Sequence, residues 1–486
     1  MKNPPSKSIT NNILSLSIGQ GVSLVLNFLA FWLAARYLDV DSFGIFSYLL
    51  AIVIILSPII DFGFAPIVFR ETSKFEKNFE YLNAAFSVRL ILFFIVLILF
   101  NISSVILKLT THEILLTNIL FLNIILSSKL RNFREIIDIP FKIALLSHYS
   151  MIVVVLDNLI FLIMVILLPM LHMGLSYLVI SYVASNIPGF LIIIYLSYKK
   201  FSYRIKFSFV KAKWLIKESA PLMGYVILIA VFQQIDILLL KNLDSTYSTG
   251  IYAIATRMAI PFNIIPYALI TTFFPIIVKN IKGHDEKNSE LMRFIFKILF
   301  FVSFLLALIC SFKAEGIVVA IFGIKYQKSY MPMILLFWSQ IFLFYNFFAV
   351  DLFTAYNKQK FNFIYGIVIV LIDLIISIIL IPKFSYNGVG IAKLISTFIG
   401  AFFFYIVGNR VNINMKFINI KILLWCILSA SVLLILSYLP LIYYLLLSLI
   451  LIIPLTVKIR FFNNQEVVLL FKTFNKEKWG EKLLKI

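Results

Sequence analysis

Three basic residues lie inside long apolar stretches of the sequence, where charge is otherwise rare: Arg89, Arg257 and Lys393. A guanidinium group offers N–H donors in a planar fork that matches phosphate oxygens, so Arg257, deep in its stretch, is our first candidate for a phosphate contact. Pairing of Arg257 with Asp236 is the alternative. Arg89 is a second candidate, although its long side chain could equally carry the charge out to the polar end of its apolar stretch. Lys393 lies close to such an end, so its side chain is expected to reach out in this way.

Acidic residues occur in the same surroundings: Asp61, Asp157, Asp236, Asp351 and Asp373. A carboxylate shielded from water can bind a proton or a sodium ion and release it when its surroundings change. We therefore take Asp236, Asp157, Asp373 and Asp61 as candidate sites for a coupling ion, either H⁺ or Na⁺. Hydrogen bonding between helices explains a single buried acid equally well.

Uncharged polar residues accompany these charges. Gln20 and Asn27 are seven residues apart, which places them on one face of a helix. Gln233 precedes Asp236 by three residues, and Asn263 follows in the next apolar stretch. The predicted ligand-binding residues of a polar cavity are therefore Arg257, Arg89, Gln20, Asn27, Gln233 and Asn263. The alternative is that they only hold helices together.

The composition identifies the solvent that surrounds the helices. Of the 486 residues, 62% are hydrophobic and 13% are charged, and the mean hydropathy is +1.02. A soluble domain is about half apolar and about a quarter charged, so this chain lacks the polar surface to cover a water-soluble core. The net charge of +21 could suggest nucleic-acid binding, but the cations lie in loops between apolar runs, which excludes that partner. The two cysteines lie inside apolar runs and are expected to be buried hydrophobes.

Apolar runs long enough to cross a bilayer follow one another along the chain. Fourteen are predicted, near residues 11–36, 43–69, 82–107, 114–133, 148–170, 174–198, 218–241, 247–278, 291–312, 329–356, 361–381, 388–408, 419–438 and 441–457. Pro261, Pro266 and Pro275 in the eighth run predict a kinked helix. The sequence therefore predicts an all-α membrane protein.

Most Lys and Arg residues fall in alternate loops, so the positive-inside rule places both termini in the cytoplasm. The longest loop on the other side, at about 313–328, leaves no room for a catalytic domain. Two basic segments that also carry aromatic residues, 199–217 and the tail from 458, favour helices lying in the membrane interface, with a solvated linker as the alternative. Basic loops also predict contacts with anionic membrane lipids.

Two hairpins in the sequence are alike. Residues 33–52 (LAARYLDVDSFGIFSYLLAI) and residues 238–258 (LLLKNLDSTYSTGIYAIATRM) both contain Leu-Asp, a short polar turn and Gly-Ile, so that Gly44 corresponds to Gly250. A repeat of this kind predicts two pseudo-symmetric six-helix bundles running in the same direction. The predicted segments are the two bundles at 1–198 and 218–410, a basic cytoplasmic interfacial linker at 199–217, two additional helices in 411–457 and a basic cytoplasmic tail at 458–486.

These motifs resemble a known family. The stretches ARYLDVDSFGIFSY and IIDFGFAPIVFRE, followed in the second half by ESAPLM, QQIDILLL, GIYAIATRM and IFGIKYQKSY, are similar in order to the polysaccharide flippase branch of the multidrug/oligosaccharide-lipid/polysaccharide exporter superfamily, from about residue 10 to 410. The resemblance implies a flippase of the bacterial inner membrane that moves undecaprenyl-diphosphate-linked oligosaccharides for O-antigen, capsule or similar polymers. It also implies alternating access coupled to an ion gradient or the membrane potential, with spans 1, 2, 7 and 8 lining the cavity.

The resemblance implies a polyprenyl-diphosphate-linked oligosaccharide as substrate, with a polysaccharide polymerase and chain-length proteins as possible partners. No cofactor is expected beyond H⁺ or Na⁺, and no metal site, because zinc-protease, phosphate-loop, dinucleotide and Cys/His motifs are missing from the sequence. The chain is thus expected to be a transporter and not an enzyme. Two alternatives stay open: a multidrug or cation antiporter of the same superfamily, and a polysaccharide polymerase or ligase.

Overall fold

The computed structural model describes residues 6–74, 79–130, 132–280, 285–411, 413, 420–463 and 466, and every regular element within them is a helix. The α-helices are α1 (Ser6–Tyr37), α2 (Val40–Asp61), α3 (Phe64–Lys74), α4 (Glu80–Ser103), α5 (Thr111–Leu126), α6 (Phe133–Ile143), α7 (Ser147–Met170), α8 (Leu175–Ala184), α9 (Ile187–Phe201), α10 (Ala212–Leu243), α11 (Thr246–Ala259), α12 (Ile264–Asn280), α13 (Asp285–Phe322), α14 (Tyr330–Ala355), α15 (Gln359–Arg410), α16 (Ile420–Leu436) and α17 (Leu441–Lys458). Most of the predicted basic tail, including Phe471, Phe474 and Trp479, lies outside the described residues.

Each of the fourteen predicted apolar runs contains helix among the described residues. Eleven helical stretches among the described residues are long and apolar enough to cross a membrane. One of them, α15, has 52 residues and contains two of the predicted runs, and the shorter apolar helices α5 and α16 correspond to two more. Helices prevail because lipid offers no hydrogen-bond partner to the backbone, so each span must satisfy its own N–H and C=O groups. The all-α membrane fold is confirmed, whereas the side on which the termini lie stays a prediction.

The starts of α2 and α5 are capped by side chains. Asp39 accepts a hydrogen bond from the amide of Ser42 at the start of α2. Thr110 and Glu113 form a capping box at the start of α5, each side chain bonding the backbone of the other residue. The expected kink of the eighth run is present as a 3₁₀ turn over Ile260–Asn263, between α11 and α12.

The described chain divides into two compact units, and the first contains Met1–Ile254 together with Ser377–Tyr386. In this unit α1 packs along α7, and α10 packs along α2. The short helix α6 packs against α3, α4, α7 and α9. Ile136 and Ile139 of α6 belong to a buried apolar cluster with Phe64 and Leu82. The sequence placed α6 in a loop, because its eleven residues are too few to cross a bilayer.

The corresponding glycines of the two similar hairpins meet inside this first unit. A Cβ atom built on Gly44 would overlap the carbonyl oxygen of Thr246 and lie 2.8 Å from the amide nitrogen of Gly250. A Cβ atom on Gly250 would overlap the carbonyl oxygen of Val40 and lie 2.8 Å from its Cγ1. The first turns of α2 and α11 therefore cross with backbone against backbone, a separation that only glycine permits.

The linker between α9 and α10 is extended and is bound to α4. The backbone amides of Lys206 and Ser208 donate to Asn83 Oδ1 (3.1 Å) and Ser87 Oγ (2.9 Å). Tyr203 is buried and donates its hydroxyl to Asn83 Oδ1 at 3.2 Å. Burial raises the pKa of the Tyr203 phenol, so the hydroxyl keeps its proton. The predicted interfacial helix is therefore wrong for residues 202–211, because side chains of α4 satisfy the extended backbone.

The second compact unit contains Ala255–Ile376 and Asn387–Ile486. Here α13 packs along α14, and α16 packs against α17 and α13. Trp425 of α16 is fully buried and donates its indole N–H to Thr456 Oγ1 of α17 at 3.0 Å. Lys297 of α13 is also buried and pairs with Glu466 (Nζ to Oε2, 2.7 Å). The two C-terminal helices are thus part of this unit's core.

Helix α13 continues through residues that the sequence analysis assigned to a loop. It breaks at Lys313 (φ −133°, ψ 17°), continues to Phe322 and is followed by a 3₁₀ segment over Ile324–Ser329. The prediction of a 313–328 loop is wrong because Lys313 marks a break between two helical segments and does not end the helix.

Helix α15 reverses its direction at Ser385, which has left-handed φ (53°) and a ψ of −136°. The contact between Asp373 and Lys393 is evidence of this reversal, because their Oδ2 and Nζ atoms are only 2.6 Å apart. Twenty residues of straight helix would separate them by about 30 Å. The Ser385 hydroxyl donates to Asp244, and its Oγ lies 2.9 Å from Ser248 Oγ, so the turn is held by the C-terminal end of α10 and the first turn of α11.

Candidate functional site

Arg89 is fully enclosed in the first unit. Its guanidinium pairs with Asp61 at the end of α2 and donates to the carbonyl oxygen of Asn132 at 2.5 Å. The amide of Asn132 in turn donates to the carbonyl oxygen of Ser57 at 3.0 Å. Because the Arg89 side chain has 0% exposure, it does not extend to the surface. Its observed contacts join α2, α4 and the segment before α6.

A second buried ion pair joins Arg134, in the first turn of α6, to Asp157 in the middle of α7. The two side chains are 0% and 1% exposed. Gly189 of α9 completes the pocket, because a Cβ atom there would overlap the Asp157 carboxylate. The Nε and Nη2 groups of Arg134 are buried without a hydrogen-bond partner among the described residues. In the sequence Arg134 belongs to the basic stretch between two apolar runs, which does not predict a pair with Asp157.

Lys129 extends from the segment after α5 towards the polar face of α1. Its Nζ lies 3.2 Å from Asn27 Oδ1. The same ammonium lies 4.9 Å from the ring centre of Tyr182 and 5.1 Å from that of Phe161. Amide oxygens and aromatic faces both orient a cation, and Lys129 stays half exposed. Gln20, two turns before Asn27 on α1, is exposed.

These positions make the α1 face the best-defined part of the candidate site. The sequence predicts Gln20 and Asn27 as ligands, and in the structure the ammonium of Lys129 lies next to Asn27. We name Gln20, Asn27 and Lys129 the α1 polar face. Lys129 lies at the polar end of the run predicted at 114–133, where the sequence does not distinguish it from a loop cation. A half-exposed ammonium beside neutral hydrogen-bonding side chains is suited to contact an anionic oxygen.

The other predicted ligands and the coupling candidate Asp236 lie on α10, on α11 and in the turn that follows. Asp236 of α10 is buried and accepts a hydrogen bond from the hydroxyl of Tyr252 at 2.8 Å, whereas Gln233, one turn earlier, is exposed. Arg257 lies half buried in the last turn of α11. Asn263 ends the 3₁₀ turn after α11, and its Oδ1 atom is buried without a hydrogen-bond partner among the described residues. The roles of Gln233, Arg257 and Asn263 in ligand binding stay predictions, and so does the role of Asp236 as a coupling acid.

Asp373 of the second unit is fully buried between the two limbs of α15. It accepts a hydrogen bond from Ser396 Oγ (3.1 Å) in addition to its ion pair with Lys393. Lys393 is 9% exposed, so the expected extension of its side chain to the surface is not observed. Three of the four candidate coupling acids thus each contact a cation: Asp61 with Arg89, Asp157 with Arg134 and Asp373 with Lys393. Their binding of a coupling ion stays a prediction.

Comparisons with known proteins agree with this architecture. Residues 9–281 match the family model described as "Polysaccharide biosynthesis protein". Over 177 residues the chain is 24% identical to the capsular polysaccharide biosynthesis protein CapF of Staphylococcus aureus. That alignment covers 36% of this chain and 44% of CapF, so the chain matches less than half the length of this relative.

Two solved structures are similar along most of the chain. The lipid II flippase MurJ in an inward closed conformation superposes with a TM-score of 0.73 at 16% identity, covering 92% of this chain and 99% of that one. A multidrug resistance MATE family transporter of the MOP superfamily, inward-facing, gives a TM-score of 0.60 at 14% identity, covering 83% and 98%. At these identities the likeness establishes a fold shared with a flippase and with multidrug transporters.

Proposed function

Because the chain belongs to the polysaccharide biosynthesis protein family, we propose that it moves a lipid-linked saccharide across a bacterial inner membrane. The fold, shared with the lipid II flippase MurJ, supports this kind of transport. The specific substrate that we propose is an oligosaccharide repeat unit linked to undecaprenyl diphosphate. We further propose that it crosses by alternating access, with the polyprenyl chain remaining in lipid.

The main physical obstacle to such transport is the diphosphate. A charged group at the centre of the bilayer costs several kcal/mol unless it is paired or hydrated. A protein that carries it must therefore offer a cation on a hydrated face of the membrane-embedded region. Neutral hydrogen-bonding groups beside that cation would then accommodate the sugar hydroxyls.

The α1 polar face is the observation on which the proposal rests. The ammonium nitrogen of Lys129 lies 3.2 Å from Asn27 Oδ1. It also lies 4.9 Å from the ring centre of Tyr182 and 5.1 Å from that of Phe161. These contacts fix the position of the charge while leaving the side chain half exposed. An anionic diphosphate oxygen would bind Lys129 through a charge-assisted hydrogen bond.

Coupling to an ion gradient or to the membrane potential is part of the proposal. The candidate acids are Asp236, Asp157, Asp373 and Asp61, of which the last three contact a cation in this conformation. If one of them couples transport, its partner would have to exchange during the cycle. Flux measured with imposed H⁺ or Na⁺ gradients across vesicles would identify the ion.

The alternatives are less well supported. A polymerase or ligase is disfavoured, because the similar solved structures are a flippase and transporters. A multidrug antiporter shares the fold, but MATE structures superpose with lower TM-scores than MurJ, and the family match is to polysaccharide biosynthesis.

Substitution of Lys129 by glutamine tests the proposal directly. We expect translocation of a lipid-linked oligosaccharide in proteoliposomes to slow about 10- to 150-fold, since losing one charge-assisted hydrogen bond costs about 1.5–3 kcal/mol. The measurement is the fraction of head groups accessible to an enzyme added outside the vesicles, followed over time.

Lys142→Gln is the matched control, because Lys142 is an exposed lysine of α6 that pairs with Glu135 at 3.0 Å. We expect it to flip substrate at the wild-type rate. Equal rates for Lys129→Gln and wild type would remove the α1 polar face from the mechanism. Wild-type vesicles that exchange a cationic drug for H⁺, without moving the saccharide lipid, would establish the antiporter alternative instead.

Arg257→Ala is expected to slow the same translocation by roughly tenfold, because a guanidinium can hold two phosphate oxygens at once. The conservative Arg257→Lys variant should recover only part of the rate, because an ammonium lacks the planar fork. If Arg257→Ala flips the substrate as fast as wild type, Arg257 has no role in phosphate binding.

A further inference from the structure

A cavity of about 340 Å³ lies in the first unit between α6, α9 and the extended linker that follows α9. Its walls include Ile137 of α6, Ile194 of α9 and Ile205 of the linker. This volume falls in the range of about 300–1,000 Å³ that is usual for sites of small ligands. The cavity lies apart from the α1 polar face, and the proposed function does not use it.

One polar group is buried in the wall of this cavity without a hydrogen-bond partner. Ser197 of α9 is 2% exposed, and its Oγ has no partner among the described residues. A buried hydroxyl without a partner is costly, and a serine inside a helix ordinarily bonds a carbonyl one turn back. An occupant of the cavity with a hydrogen-bonding group would satisfy Ser197.

The exposed surface of α9 leads to the cavity. Apolar and aromatic side chains with 43–60% exposure recur along one helical face, at Ile187, Leu191, Tyr195 and Tyr198. In a membrane-spanning helix such a face meets lipid chains, and tyrosines mark the level of the head groups. Tyr195 and Tyr198 also line the cavity. We therefore expect the cavity to open towards lipid at the membrane–water interface.

The mouth of the cavity is cationic. Arg204 lines it and is held by Tyr198, whose hydroxyl accepts from Nη2 at 2.9 Å and whose ring centre lies 4.9 Å from the guanidinium carbon. Lys199 and Lys200, in the last turn of α9, are exposed. Lys199 Nζ lies 5.8 Å from the ring centre of Tyr195, which lines the cavity. The sequence from 158 to 217 contains no acidic residue, so these charges are not offset within the segment.

We propose that this cavity binds one anionic phospholipid, with an acyl chain between α6 and α9, an ester oxygen near the Ser197 hydroxyl, and the phosphate on Arg204 with Lys199 or Lys200. The apolar walls select a hydrocarbon chain, and the cations at the mouth select a negative head group over a zwitterionic one. The bound lipid would join α6 and α9 to the linker. It would therefore act as a structural ligand of the first unit.

The test uses the purified full chain in detergent, supplemented with phosphatidylglycerol or with phosphatidylcholine of the same acyl chains. We expect phosphatidylglycerol to raise the unfolding temperature and to remain bound in native mass spectrometry, and phosphatidylcholine to do neither. Arg204→Gln should weaken retention of phosphatidylglycerol about tenfold, because one charge-assisted contact is lost. Ser197→Leu, which fills the cavity, should abolish retention.

Lys206→Gln is the matched control, because Lys206 is an exposed cation of the same linker that does not line the cavity. It should retain phosphatidylglycerol as wild type does. Equal retention of the two lipids, or equal losses in Arg204→Gln and Lys206→Gln, would overturn the proposal. It would also be overturned if inorganic phosphate alone reproduced the shift, or if undecaprenyl phosphate bound where phosphatidylglycerol did not. Should Ser197→Leu fail to fold, the Arg204→Gln comparison still decides.

Discussion

Arg134→Gln is expected to lower the free energy of unfolding by about 3–5 kcal/mol, because it leaves the Asp157 carboxylate buried without its cation. Both side chains are buried, and the backbone of Gly189 lies against the carboxylate, so bulk water does not reach the pair in the folded protein. The measurement is reversible unfolding in mixed micelles, compared between wild type and variant. Asp157→Asn should be similarly destabilising, since it leaves the Arg134 charge buried.

Two comparisons make this result specific to the buried pair. The double variant Arg134→Gln with Asp157→Asn should recover much of the loss, because no uncompensated charge remains. Lys142→Gln on the same helix removes a cation whose pair with Glu135 is 42% and 22% exposed, and should cost less than about 1 kcal/mol. Equal destabilisation by Arg134→Gln and Lys142→Gln would show that the pair is hydrated in the folded protein.

Gly44→Ala and Gly250→Ala are expected to destabilise the chain by about 1–3 kcal/mol each, because the added methyl group collides with backbone. The groups in the way are the Thr246 and Val40 carbonyl oxygens, which cannot rotate aside as a side chain would. The first turns of α2 and α11 must then separate. Unfolding transitions and cross-linking of cysteines placed in these two turns would measure the separation.

The control is Gly21→Ala, where the new methyl group meets no atom within 4 Å. Alanine inside a helix is ordinarily more stable than glycine by about 0.8–1.0 kcal/mol, so this variant should gain stability. The sign of the change therefore distinguishes the crossing from an ordinary helical glycine. A gain in stability for Gly44→Ala would show that the two turns do not touch in the folded protein.

The sequence predicted the spans well, because apolar length alone determines which segments cross lipid. It also found the repeat that contains Gly44 and Gly250. It could not show that these glycines contact each other, since a repeat establishes likeness between segments and not proximity. The contact depends on how α2 and α11 cross, which is set by packing over many residues.

The ion pairs were beyond sequence reasoning for a related reason. Asp157 was recognised as a candidate, but its partner Arg134 lies in a polar stretch that was assigned to a loop. Helix α6 is short, and its burial depends on α3, α4, α7 and α9 surrounding it. Likewise, the extended linker looked amphipathic, and only the side chains of Asn83 and Ser87 on α4 explain why it is not helical. Contacts distant in sequence decide such cases.

The reversal of α15 at Ser385 has a consequence for how the chain enters the membrane during synthesis. Asp373 leaves the ribosome twenty residues ahead of Lys393, its ion-pair partner. An aspartate at the centre of an inserting helix costs about 2.5–3.5 kcal/mol, so the first limb alone is a poor substrate for release into lipid. The translocon is expected to hold that limb until the second emerges and neutralises it, and to release both as one hairpin.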